Sequence, residues 1–169
     1  MACVLTTSIA KGCRDSIGGI KTIYVAELSR KGSVTQASGV ITAWTMSSGY
    51  FWTYDLEMGV AQFTETIKPN RTNGTLYYEQ SVTFTLPKQQ ATTAQELKLL
   101  AQNDVMIIAL DRNGKYWLLG EANGLTMADS TGATGTAMAD FNGYSLTLTG
   151  MEETHAPEVT STLITGLTS

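Results

Sequence analysis

Residues 75–87 read Thr75-Leu76-Tyr77-Tyr78-Glu79-Gln80-Ser81-Val82-Thr83-Phe84-Thr85-Leu86-Pro87. In an extended chain Tyr78, Val82, Phe84 and Leu86 share one face, and Tyr77, Glu79, Ser81, Thr83 and Thr85 share the other. That is the period of a strand with one side in a core and one side in water. Gln80 is the one polar residue on the apolar side. Pro87 has no N–H to give a ladder, so it ends the strand.

Working outward, the same logic recurs. Upstream, Trp52, Tyr54, Leu56 and Met58 alternate with Thr53, Asp55 and Glu57, which predicts a strand over residues 50–58 with one face in the core. Gly59 marks a bend, and residues 60–68 resume as a strand. Pro69-Asn70-Arg71-Thr72-Asn73-Gly74 is rich in turn formers and predicts a hairpin or protruding loop. Earlier still, residues 20–28 read as a first strand, and residues 34–44 as a short strand interrupted by Gly39.

Downstream, Thr93 followed three residues later by Glu96 forms a capping box. Ala94, Leu97, Leu100 and Ala101 fall on one stripe, so a helix is expected over about 93–103, laid on a sheet. Residues 105–110 and 115–121 are strands joined by Asp111-Arg112-Asn113-Gly114, where Asn-Gly supplies the positive φ of a tight turn. Residues 122–143 are rich in Gly, Thr and Ala and read as a long loop. Residues 144–149 form a last strand, with Tyr144, Leu146 and Leu148 opposite Ser145, Thr147 and Thr149. The expected organisation is an arm over 1–19, one mostly β domain with a single helix over 20–150, and a polar, Thr-rich tail over 151–169.

Composition narrows the function classes. A chain of 169 residues with 43% hydrophobic residues can bury one core without staples. Cys3 and Cys13 cannot build a multi-bridge framework and read as reduced thiols. The opening residues carry neither a basic region nor a long apolar run, so synthesis in a cytoplasm is expected. The longest apolar run, residues 105–110, is far short of the roughly 20 needed to span a membrane. With charged residues at 15%, a net charge of −4 and no cluster of Lys or Arg to contact phosphates, tight nucleic-acid binding is not expected.

The search for chemistry returns no catalytic, cofactor or metal residues. His155, the one histidine, lies in Glu152-Glu153-Thr154-His155-Ala156-Pro157, with no second His or Cys to share a metal or complete a nucleophilic site. Asp55 and Glu57 share a strand face and read as solvated or interface carboxylates rather than an acid–base pair. Gly132-Ala133-Thr134-Gly135-Thr136 lacks the Lys and the helix of a phosphate loop. The Asn70 and Asn73 glycosylation patterns read as turn residues. Trp44, Trp52 and Trp117 each fall in a strand, where core packing outweighs sugar binding.

Phe63-Thr64-Glu65-Thr66-Ile67, Gly74-Thr75-Leu76-Tyr77-Tyr78-Glu79-Gln80, residues 111–120 and Gly143-Tyr144-Ser145-Leu146-Thr147-Leu148-Thr149-Gly150 together resemble structural proteins of tailed bacteriophages of Bacteroidetes. The order of elements is similar to the tail tube (major tail) protein family, over roughly residues 3–157. The resemblance implies a β-sandwich or open barrel with one flanking helix, whose sheets join between subunits into a closed ring. It implies hexameric rings stacked into a tube that conducts DNA without binding it specifically, in a virion tail assembled in the host cytoplasm. The partners it implies are further copies of the chain and the terminator, tape-measure and baseplate or tip proteins. By role it makes Thr64, Thr66, Glu79, Ser81, Thr83 and Thr85 candidates for the lumen, and Asn70, Arg71, Thr72, Asn73 and Gly74 for a hairpin touching the adjacent ring. The alternatives are a receptor- or carbohydrate-binding β-sandwich of a tail tip or fibre, and a head-decoration or neck protein.

Overall fold

In a computed structural model that describes Leu5 and residues 7–169, the alternating stretch is one long strand. Its Val82 and Phe84 are fully buried, and Ser81, Thr83 and Thr85 lie on the opposite face. We number the strands β1 (Ile20–Glu27), β2 (Ser33–Ala37), β3 (Val40–Thr45), β4 (Trp52–Asp55), β5 (Ala61–Asn70), β6 (Thr75–Pro87), β7 (Val105–Asp111), β8 (Tyr116–Leu119), β9 (Thr126–Ala133), β10 (Gly143–Glu152) and β11 (Glu158–Val159). Two helices accompany them, α1 (Ala91–Gln102) and α2 (Ser161–Leu167). The fold is mostly β, in two sheets.

The smaller sheet has the order β5-β6-β10-β9 and is antiparallel throughout. The larger has the order β2-β3-β11-β8-β7-β1-β4. Between them, Val82, Phe84, Leu146 and Leu148 meet Ile23, Val25, Ile107 and Ala109 in the main core. Ile20 joins that core because a bulge leaves Lys21 without a partner opposite β7 and shifts the pleat by one residue. Strand β7 is buried along both faces: Val105, Ile107 and Ala109 look into the main core, while Met106 and Ile108 enter a second one. A continuous apolar run marks a strand covered on both sides. The second core also holds Ile41, Phe51, Leu118, Ile164 and Leu167, with Trp44 edge-on to Phe51 at a ring separation of 5.3 Å.

Several sequence expectations are corrected. Residues 34–44 are not one interrupted strand but the hairpin β2–β3, turned at Ser38 and Gly39, both in the left-handed region with φ of 53° and 80°. In the 50–58 stretch Tyr54 and Leu56 pack on the core, whereas Trp52 and Met58 are exposed. The helix begins at Ala91 with Gln90 as N-cap and no side-chain capping bond, so Thr93 and Glu96 form no capping box. The chain approaches that helix through Lys88, which is left-handed at φ 66° and donates its N–H to the Asn142 carbonyl at 2.7 Å. Of the expected stripe, Leu97 and Leu100 are buried, and Ala94 and Ala101 are exposed.

The long loop over 122–143 contains β9, an edge strand paired with β10. The C-terminal residues are not a loose tail. Strand β11 inserts between β3, parallel, and β8, antiparallel, and α2 lays Ile164 and Leu167 into the second core. The hairpin β2–β3 joins the larger sheet through β11 alone. Residues 7–19 carry no helix or strand, Cys13 is an exposed free thiol, and the expectation for Cys3 lies outside the described residues.

The two faces of β6 differ in energetic weight. Phe84→Ala should lower unfolding free energy by about 3–5 kcal/mol, the usual cost of emptying a buried aromatic site. Thr83→Ala should stay within about 0.5 kcal/mol. Urea denaturation of both variants measures the contrast.

Candidate functional site

The smaller sheet turns one face to the core and leaves the other uncovered. The register places residues on the outer face in cross-strand rows. One runs Gln62, Thr83, Thr147, Asp129, and the next runs Thr64, Ser81, Thr149, Thr126. A third holds Thr66, Glu79 and Met151, and Ser145 stands between Thr85 and Thr131. Thr64, Thr66, Glu79, Ser81, Thr83 and Thr85 therefore lie together on one side of one sheet. Thr is suited to such a place, since its branched β-carbon favours the extended chain while its hydroxyl meets water.

The sequence reading did not assign Thr126, Asp129 and Thr131 to this face, because it read β9 as loop. Only Met127 of β9 packs on the core, and a bulge opposite Thr147 and Leu148 breaks the alternation at Ala128. The face carries little net charge. A further row holds Lys68 and Tyr77; Lys68, the cation among these rows, pairs with Glu79 at 3.2 Å, and Asp129 is left over.

The hairpin β5–β6 runs past the core. Its turn is built by Asn70, whose Oδ1 accepts from the N–H groups of Thr72 at 3.1 Å and Asn73 at 3.2 Å, with Gly74 left-handed at φ 65°. Just below the turn, Ile67 and Leu76 are 56% and 55% exposed although they continue the apolar face of the sheet. Pro69 is tolerated because β5 is an edge strand.

A polar clamp marks where the hairpin leaves the core. Gln80, buried, accepts from the Gly120 N–H at 2.9 Å and donates to Glu65 Oε2 at 3.0 Å. The same carboxylate oxygen accepts the Ala156 N–H at 2.6 Å. Beside it, buried Glu152 accepts from the N–H groups of Ala122, Asn123 and Gly124 at 3.0, 2.9 and 3.2 Å. Each buried polar atom is thus satisfied, and the clamp ties the smaller sheet to the loop after β8.

The residues weighed for chemistry are scattered. His155 is exposed beside Tyr78, at a ring separation of 6.4 Å, and Asp55 and Glu57 are exposed at the end of β4. Among the described residues no three His, Cys, Asp or Glu side chains gather to hold a metal. Trp44 is buried and donates to the Lys31 carbonyl at 2.7 Å, Trp117 is half-buried against Phe63, and Trp52 alone is exposed, so they form no shared platform. No helix among the described residues is long and apolar enough to cross a membrane. No family model, curated protein or solved structure matches the chain.

The opposite hairpin, β9–β10, ends in a loop over 134–142 held by Asp140. Its Oδ2 accepts from the N–H groups of Thr136 and Ala137, each at 2.8 Å, and the Ala137 and then the Thr136 N–H hold its carboxyl below the ordinary carboxylate range. A depressed folded value means that the contact is complete above about pH 4, the unfolded value, and is lost as pH falls through the lower folded one. The amide resonances of Thr136 and Ala137 should shift together below about pH 4 in an NMR titration, and Asp140→Asn should abolish that transition.

Proposed function

We propose that the chain is a structural subunit of a phage tail tube, assembling into stacked rings whose inner wall is the hydroxyl face of the smaller sheet. The observation that carries this reading is that face itself: four strands wide, dominated by Thr and Ser, uncovered, and without an unpaired cation in its rows. Among the described residues its two edge strands, β5 and β9, have no partner on their outer sides. Such edges invite pairing with another chain, and closure into a ring removes them.

In such a ring the hydroxyls present a wetted wall to passing DNA. Phosphates are held by Lys and Arg, and the only Lys in these rows is neutralised by Glu79. The net charge of −4 adds a weak repulsion. DNA then slides without a site at which to stop. The β5–β6 hairpin, with Ile67 and Leu76 uncovered, reaches toward the ring above or below. The other tail proteins would meet the tube at its ends.

Negative-stain electron microscopy of the purified protein at rising concentration, with light scattering to count subunits, tests the reading. Rings of about six copies, stacking into hollow rods, are the expected outcome for closed cyclic symmetry. A persistent monomer that saturates with a glycan or receptor fragment would replace it with the binding-module alternative.

A further inference from the structure

We propose that the N-terminal arm of one copy docks head to tail in the groove between α1 and β4 of a second copy. The inference deepens the assembly reading, on which it rests for the presence of a second copy, by naming one contact.

The groove consists of two adjoining hollows that meet at Tyr54 and Glu96. Trp52 and Leu99 rim one, Leu86 and Leu97 the other. Trp52 is 59% and Leu99 48% exposed, and β4 is the outermost strand of its sheet, with no strand on its outer side among the described residues beyond the bridge that Phe51, just before it, makes to Thr168. Burial, and then the Glu96 carboxylate, raise the Tyr54 phenol above its ordinary value, so it stays a hydrogen-bond donor. Glu96, which lines both hollows, has no cation partner among the described residues. The groove is apolar at its floor and carries this carboxylate at its margin.

The arm is its chemical complement. Residues 7–16 are exposed and carry no helix or strand, Ile9 is 98% exposed, and Lys11 and Arg14 outnumber Asp15. An extended segment can lay Ile9 into a hollow, bring Lys11 or Arg14 to Glu96, and run along the open edge of β4.

Direction selects a second copy over the same one. The arm is pinned where it enters the sheet: the Ile17 N–H donates to Asn113 Oδ1 at 2.8 Å, and Asn113 Nδ2 donates to the Ile17 carbonyl at 2.9 Å. That is the Ile20 end of β1, opposite Asp111, whereas the groove opens at the Val25 end, opposite Trp52. To fill its own groove the arm must double back along the whole of β1. Between copies the contact is heterologous, and repetition closes a ring or extends a filament.

Two variants separate the halves of the contact: a chain lacking residues 2–16, and Leu99→Glu in the full chain. Leu99 and residues 7–16 are exposed, and far-UV circular dichroism checks that each variant stays folded. In sedimentation velocity each alone should remain monomeric where the unaltered protein assembles. Mixed, they should give a 1:1 complex and nothing larger, since one lends its groove and the other its arm. Ile9→Asp should weaken that complex at least about tenfold, and Ile9→Leu should not. No complex in the mixture, or assembly of the arm-less chain as of the unaltered one, overturns the inference. Rings or tubes from the arm-less chain would do so while leaving the tube reading intact. A 1:1 complex from the mixture, with no rings from the unaltered protein, would uphold the arm contact and sink the tube.

Discussion

Burial of one face of the smaller sheet is the constraint from which the other features follow. Val82, Phe84, Leu146 and Leu148 are fully buried, and each such side chain contributes roughly 1.5–3 kcal/mol relative to exposure. Because side chains alternate, fixing those four inward fixes Ser81, Thr83, Thr147 and Thr149 outward, and a slip of one residue would invert both sets. The hydroxyl face is thus held in place by the core behind it. Gln80 continues the inward row, and its bonds to Glu65 and Gly120 keep the sheet anchored where apolar cover ends and the hairpin begins.

The larger sheet obeys a different constraint. Its order places β11, the last strand in the chain, between β3 and β8, with Glu158 and Val159 supplying the register. The hairpin β2–β3 can form from local contacts, yet it joins the sheet only when the C-terminal residues arrive. A pairing so distant in sequence carries a loop-closure cost and belongs late in folding. Burial of Ile164 and Leu167 beside Ile41 and Phe51 holds the insertion.

How much of this was legible follows from how much each segment buries. β6, β10 and the Asn113-Gly114 hairpin were readable because their alternation or turn chemistry is strong. β9 was not, since a strand that contributes one core residue and borders polar neighbours looks like a loop. β11 and α2 were missed for a related reason: two strand residues and a seven-residue helix are too short to show a period, and their order comes from tertiary packing. The α1 cap shows the converse, where a local signal at Thr93 and Glu96 does not set the helix start, which lies two residues earlier at Ala91. Glu79, Ser81, Thr83 and Thr85 could be grouped from periodicity and Thr64 and Thr66 joined them only through the family resemblance, whereas the contribution of β9 to that face needed the pairing register. The groove between α1 and β4 lay outside any sequence signal, because Trp52 reads as core until its exposure is seen and Leu99 lies off the expected helix stripe.

The central claim is that the hydroxyl face lines a wet space enclosed by neighbouring copies. The most direct measurement is the reactivity of Thr83→Cys, in a chain whose Cys3 and Cys13 are replaced by Ser, toward a small maleimide and toward one tethered to a large polymer. The account predicts that both react with the dissociated subunit, and that in the assembled particle only the small reagent remains fast. Equal reactivity toward the polymer after assembly would put the face on the outside, and loss of both reactions would make it a dry interface; either result contradicts the account.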